Sequence, residues 1–309
     1  MKSNNPSLFQ VSVIIAVYNA EEFIAKAINS CLDLEEVKEI IIIDDASPDN
    51  CYEICTKLAE KDSKIKVFKH KDIQNHGAPA SWNLGIKKAK CDYITILGAD
   101  DFFLPNRFHK EKEVFSKYPA ADGVYGAIGC HYYSKPKKAN LYNEITTFKY
   151  HCKPKSFFRA FLGLKYKDFG NVSLIALTLK RKVILEYNLF LNEDLRLHQD
   201  TEYIIRLAYY LKLYPGDIIN PVANRGVHQN NRITVFAVND TTFIKNKLKF
   251  INAVLKWMDS VKTPFLFKLS KRLEKKYYGS LITGKSQFLA KQLLRIRYRL
   301  YFLYLWKRH

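Results

Sequence analysis

The sequence predicts an α/β fold, a mostly parallel, doubly wound sheet flanked by helices, with a basic helical extension at the C-terminal end. Three observations predict it. Val/Ile-rich runs alternate with amphipathic segments four times within about a hundred residues. Three of those runs end in polar or acidic residues, and ligands of such sheets bind beyond the carboxyl ends of the strands. The charge is also segregated: residues 241–309 hold 17 Lys/Arg against 2 Asp/Glu, whereas residues 1–240 hold 33 against 28.

Taken in order, "VSVIIAVYN" (11–19) is β-rich, and "AEEFIAKAINSCL" has apolar residues at helical spacing. "VKEIIIIDDASPDN" (37–50) contains four consecutive isoleucines, which predict a strand buried on both faces. A Ser-Pro-Asp turn then leads into the helix "CYEICTKLAEKD". "KIKVFKH" (64–70) is a third strand, "APASWNLGIKKA" a third helix and "DYITIL" (92–97) a fourth strand. From about 120 to 240 the pattern loosens. Candidate strands lie at 123–129 and 171–179, a helix at 200–212, and a Pro/Gly-rich stretch from Tyr214 to Gly226. From 241 onward helices are expected, separated by "TPF" and "GSLITGK", so a domain boundary is expected near 240.

Composition narrows the class. With 48% hydrophobic residues in 309, the chain can bury a sizeable core and is unlike a disordered segment. No apolar run approaches the about 20 residues that span a bilayer. "MKSNNPSLFQ" lacks a signal-peptide core, so a cytoplasmic location is expected. The six cysteines (Cys31, Cys51, Cys55, Cys91, Cys130 and Cys152) form no CxxC pair, and free thiols in a reducing compartment are expected. The net charge of +20 calls for a polyanionic partner of the tail.

The chemistry rests on acids at strand ends. Asp44 and Asp45 either cap the following helix or hydrogen-bond a nucleoside. Asp100 and Asp101 are adjacent like charges after a buried strand, a repulsion that a divalent cation carrying a diphosphate relieves.

"VSVIIAVYN", "IIIDDASPDN", "NHGAPASWNLGIKKAK", "DYITILGADD" and "LHQDTEYIIRLA" occur in the order and at about the spacing of family 2 glycosyltransferases. Over residues 10–235 the chain resembles these inverting, nucleotide-sugar-dependent enzymes of the Rossmann-like GT-A fold. The resemblance implies that Val17, Tyr18 and Asn19 line a nucleotide pocket and that Asp45 meets the base. It implies that Asp100 binds Mn²⁺ or Mg²⁺ and that Asp200, in "QD", is the general base. His228, in "NRGVHQNNR", sits where many such enzymes place a histidine that completes the metal or diphosphate shell. It is otherwise an exposed loop histidine, with Arg225 and Arg232 beside it.

Two positions depart from the pattern. Gly98 replaces the first acid of Asp-x-Asp, so a ribose or metal contact is missing or comes from Asp101. Trp82 replaces an arginine that approaches the nucleotide, which leaves room for a stacking contact and puts UDP in doubt.

In the tail, Lys291, Arg295 and Arg299 form one stripe, and Leu300–Trp306 is a short apolar run. This suits a helix lying on an anionic membrane, or one packed on the domain. The expected protein moves a sugar from a nucleotide diphosphate sugar to a lipopolysaccharide, capsule or lipid-linked acceptor, peripherally on the inner membrane face. The alternative from another class is a non-catalytic basic protein that binds glycan or nucleic acid on the same fold. Gly98 and Trp82 favour it, while Asp100, Asp200 and His228 together oppose it. No nucleic-acid reading motif is present.

Overall fold

The computed structural model describes residues 9–134, 145–148, 153–159, 170–229, 231, 241–263, 265–283, 288 and 292. Its first half alternates as expected: β1 (Val11–Val17), α1 (Ile24–Leu32), β2 (Val37–Asp44), α2 (Cys51–Lys61), β3 (Ile65–Lys69), α3 (Ala78–Lys88) and β4 (Tyr93–Gly98). β5 (Phe102–Phe103), α4 (His109–Lys117), β6 (Gly123–Tyr125), β7 (Ala127–Tyr132) and α5 (Pro154–Arg159) follow. β8 (Leu177–Lys180), α6 (Arg181–Glu186), α7 (Gln199–Tyr210), β9 (Leu213–Pro215) and β10 (Pro221–Val227) complete the sheets. α8 (Thr241–Ser260) and α9 (Phe265–Thr283) come last.

The main sheet has the order β3-β2-β1-β4-β8-β6-β9. β1 to β4 are mutually parallel, and β8 is antiparallel to both β4 and β6, so the sheet is mixed along one flank. Period-two alternation divides β1 and β2 between two cores. Val13, Ile15, Ile40 and Ile42 face α1, α2 and α4, while Ile14, Ile41 and Ile43 face α3 and α7. This is why β2 needs four isoleucines in a row: every one is fully buried.

Three expectations are corrected. The strand at 123–129 is two strands in two sheets, because Gly126 donates its N–H to Ala176 and Ala127 donates to Asp217, which turns the chain between them. The strand at 171–179 opens with a 3₁₀ turn at Leu174–Ala176 and only then enters β8. The break expected at "GSLITGK" does not begin at Gly279, since α9 runs through Gly279 to Thr283, and residues 284–287 lie outside the described residues. The Pro/Gly-rich stretch supplies β9 and β10. β10 joins β5 and β7 in a second, three-stranded sheet packed beside α1.

The C-terminal helices pack on α7. Phe250, Ile251, Val254 and Met258 of α8 and Phe267 of α9 enclose Ile205 of α7 in a third core. Lys291, Arg295, Arg299, Leu300–Trp306, Arg232 and Cys152 lie outside the described residues. The five other cysteines are free thiols.

Candidate active site

Two polar clusters stand at the carboxyl ends of the parallel strands. The first joins β4, β5 and β10. Asp101 folds back over the end of β4, where its Oδ1 accepts the Gly226 N–H (2.9 Å). A Cβ on Gly98 would overlap the Asp101 carboxylate, and one on Gly226 would overlap the Asp100 carbonyl oxygen. Gly226 therefore requires glycine for this close approach, whereas a side chain at Gly98 would have to displace the Asp101 carboxylate. Asp100 meets other groups: its Oδ2 lies 3.2 Å from His228 Nε2 and accepts the Asn231 side-chain N–H (3.0 Å).

His228 follows β10, and its ring stacks on Phe23 at 4.5 Å. Its backbone N–H donates to Asn231 Oδ1 (2.6 Å), and its Nδ1 is buried without a hydrogen-bond partner among the described residues. Burial, and then the charge of Asp100, pushes Asp101 up to about 8. Burial, followed by the same two acids, raises Tyr133 to about 12. Asp101 thus serves the turn, and Asp100 is the acid beside the histidine. Arg225, also on β10, is partly buried and its charge acts on Asp101.

The second cluster gathers around Asp45. The Asp45 N–H donates to the Val17 carbonyl (2.9 Å), so β1 and β2 end together. Tyr18 and Asn19 beyond them are exposed, and Asn19 is left-handed (φ 52°). Asp45 itself is 2% exposed. It accepts the N–H groups of His76 (2.8 Å) and Gly77 (2.7 Å), and His70 Nε2 lies 3.5 Å away. It therefore holds the start of α3, while the first turn of α2 uses Asp49. Asp44 is equally buried, with Oδ1 unpartnered among the described residues. Left-handed residues at Ala46, Ile73 and His198 add further strain to these loops. Trp82 packs on the second core with its Nε1 buried.

Asp200 is exposed in the first turn of α7, where its Oδ1 accepts the Thr201 N–H (2.7 Å). Glu202, the other acid of that turn, is 3% exposed and bound to Arg206 at 2.7 Å, so it is occupied. Among the described residues no hydrogen bond joins Asp200 to either strand-end cluster. The loop before α7 supplies the link. Asn83 of α3 donates to the Leu191 carbonyl (2.9 Å) and to Glu193 (2.8 Å), and the Arg196 guanidinium lies against Gly77.

The fold thus brings Asp100, Asp101 and His228 together and gathers Val17 and Asp45 nearby at the ends of β1 and β2. Sequence reasoning missed His70, His76, Arg196, Asn231, Tyr133 and Phe23. Only His76 carried a local signal, its position directly before Gly77 at the start of a helix. Asp100 and His228 offer a carboxylate and an imidazole nitrogen, and no third His, Cys, Asp or Glu completes a metal-holding group with them among the described residues. That set fits Mg²⁺ or Mn²⁺ when substrate phosphate oxygens and water complete the shell.

A mixed sheet with acids at its parallel strand ends and a histidine arriving from a second small sheet defines the GT-A glycosyltransferase fold. The fold is matched by the S. aureus TarS 1–349 structure in complex with UDP, at a TM-score of 0.61 and 14% identity, over 88% of this chain and 72% of that one. It is also matched by the mannosyltransferase PcManGT from Pyrobaculum calidifontis in complex with GDP-Man and Mn²⁺, at 0.52 and 13%, over 94% and 80%. The model of the family described as Glycosyl transferase family 2 matches residues 12–181, more than half of the chain, and the chain belongs to that family. An uncharacterized glycosyltransferase of Haemophilus influenzae is 39% identical over 102 residues, 33% of this chain and 40% of that protein. Glycosyltransferase GlyG of Streptococcus pneumoniae is 29% identical over 137 residues, 44% of each. The chain thus spans less than half the length of these relatives.

Proposed function

We propose that the chain transfers a hexosyl or N-acetylhexosaminyl group from a UDP-sugar to a hydroxyl of a surface-glycan or lipid-linked acceptor, with inversion at the anomeric carbon. The observation that carries this reading is the Asp100–His228 pair, 3.2 Å apart and framed by Gly98 and Gly226. The UDP and UDP-GlcNAc complexes of TarS support the choice of donor, and the Mn²⁺ complex of PcManGT supports a divalent cation.

Asp100 and His228 would hold the cation, which when bound neutralises charge on the departing diphosphate. Val17, Tyr18 and Asn19 line the nucleoside side of the pocket. Asp45, Asp101 and Trp82 act from behind, by fixing the start of α3, the β4 turn and the helix face. Asp200 is the exposed carboxylate that takes the acceptor hydroxyl's proton as the oxygen attacks the anomeric carbon. The segment beyond Thr283 would rest on an anionic membrane surface.

The test is thermal denaturation with UDP and Mn²⁺, alongside a screen of nucleotide sugars for metal-dependent donor hydrolysis. UDP with Mn²⁺ should raise the melting temperature of the wild type, because a ligand of the folded state alone stabilises it. Asp100→Asn should remove the metal-dependent part of that rise and leave the fold intact. Equal metal-dependent binding by both proteins would overturn the assignment of Asp100.

A further inference from the structure

Beside the Asp100–His228 pair, between α1 and the small sheet, a lysine is held by rings instead of by an acid. Lys26 Nζ lies 3.9 Å from the Phe102 ring centroid and 5.0 Å from that of Tyr133. It also lies 3.1 Å from His131 Nε2. An ammonium can only donate, so Nε2 accepts and His131 is neutral, with its proton on Nδ1. Burial and then the Lys26 charge hold His131 below the usual histidine range, in keeping with that arrangement. Among the described residues no carboxylate lies within ion-pair distance of Lys26, although Glu22 is only four residues away. Lys26 is nevertheless exposed, with Tyr132 also exposed on the strand that carries His131.

The cluster is continuous with the site. Phe102 directly follows Asp101. Tyr133 packs on His131 (4.7 Å) and on Phe23 (4.7 Å), and Phe23 stacks on His228. One aromatic layer thus separates Lys26 from the pair assigned to the donor's diphosphate.

We infer that Lys26, His131, Phe102 and Tyr133 form a subsite for an anionic group, a carboxylate or a phosphate, on the acceptor. The ring faces carry partial negative charge and so hold the ammonium in place; an anion pairs with the exposed ammonium itself, while the rings offer apolar surface to the C–H face of a sugar. The acceptor is thereby an acidic sugar or a sugar phosphate, an identification that rests on the glycosyltransferase reading.

The test follows the His131 ring resonances of the full chain by NMR, assigned with His131→Gln. The probes are methyl glucuronide, glucose 6-phosphate and neutral methyl glucoside, each with and without UDP and Mn²⁺. The two charged probes should shift His131 saturably, and the neutral glucoside should bind about tenfold or more weakly. Lys26→Ala should weaken the charged probes by a similar factor, and Lys26→Arg should retain them. A stronger response to glucuronide or to phosphate identifies the source of the anion. Equal binding of charged and neutral probes, or binding unchanged in Lys26→Ala, overturns the subsite. Displacement of the probe by UDP and Mn²⁺ assigns the cluster to the donor and overturns it too. Failure of UDP to bind while the charged probes still do would fault the donor reading and leave this subsite standing.

Discussion

At the end of β4 one small volume is filled by the Asp101 carboxylate, and a Cβ on Gly98 would overlap it. Gly98→Asp restores an Asp-x-Asp sequence but forces two carboxylates into that space. It should lower the melting temperature and weaken metal-dependent UDP binding, and tighter binding would overturn this account. At Gly226 the opposing atom is a backbone oxygen that no rotamer can move aside, so Gly226→Ala should be as damaging. Asp200 and Glu202 lie two residues apart and differ in burial. Asp200→Asn should cut turnover by roughly 10²–10⁴-fold with donor affinity little changed. Glu202→Gln should act on stability, because it leaves the part-buried Arg206 beside a neutral partner, a loss below the about 3–5 kcal/mol of breaking a fully buried pair. Steady-state kinetics and urea unfolding of both variants separate the two roles.

At the scale of the element, α7 joins the candidate base to the C-terminal helices. His198 precedes it in a left-handed conformation (φ 62°), with its ring 5.4 Å from Phe250 and 5.6 Å from Phe243 of α8. Burial, with Lys247 second, lowers its pKa from 6.5 to about 4. Above about 6.5 both folded and unfolded chains keep the ring neutral. Between 6.5 and 4 only the unfolded chain takes up the proton, so this contribution to stability is lost as pH falls through that window. Glu111, raised to about 6 mainly by burial, acts in the opposite sense. The difference between wild type and variant therefore isolates the histidine. His198→Asn keeps a residue that tolerates the left-handed backbone. Its denaturation midpoint should fall less steeply with acidification than that of the wild type, and parallel curves would exclude His198 as the source.

At the scale of the molecule, the boundary expected near 240 marks a change of charge. Ile205 of α7 is covered by α8 and α9, and Lys271 and Glu274 of α9 are buried as a pair 2.8 Å apart. Removal of residues 241–309 should expose this third core and lower the melting temperature or precipitate the protein. Removal of residues 284–309 alone should leave the fold and donor hydrolysis intact and release the protein from anionic liposomes, since that segment holds seven Lys/Arg and no acid. Undiminished liposome binding by the shorter chain would place the membrane contact elsewhere. Hydrophobic period was enough to read β1 to β4 and their helices, because each buries faces that its own sequence spells out. The acids at the strand ends were legible for the same reason, since a strand's end follows from its last buried residue. Tertiary structure alone decided which acid faces outward, because the Asp101 carboxylate is set by an N–H 125 residues away. It alone split 123–129 between two sheets and brought His228, Phe23 and Lys26 to one wall. Those contacts depend on how distant segments close upon each other, and no local pattern encodes that closure.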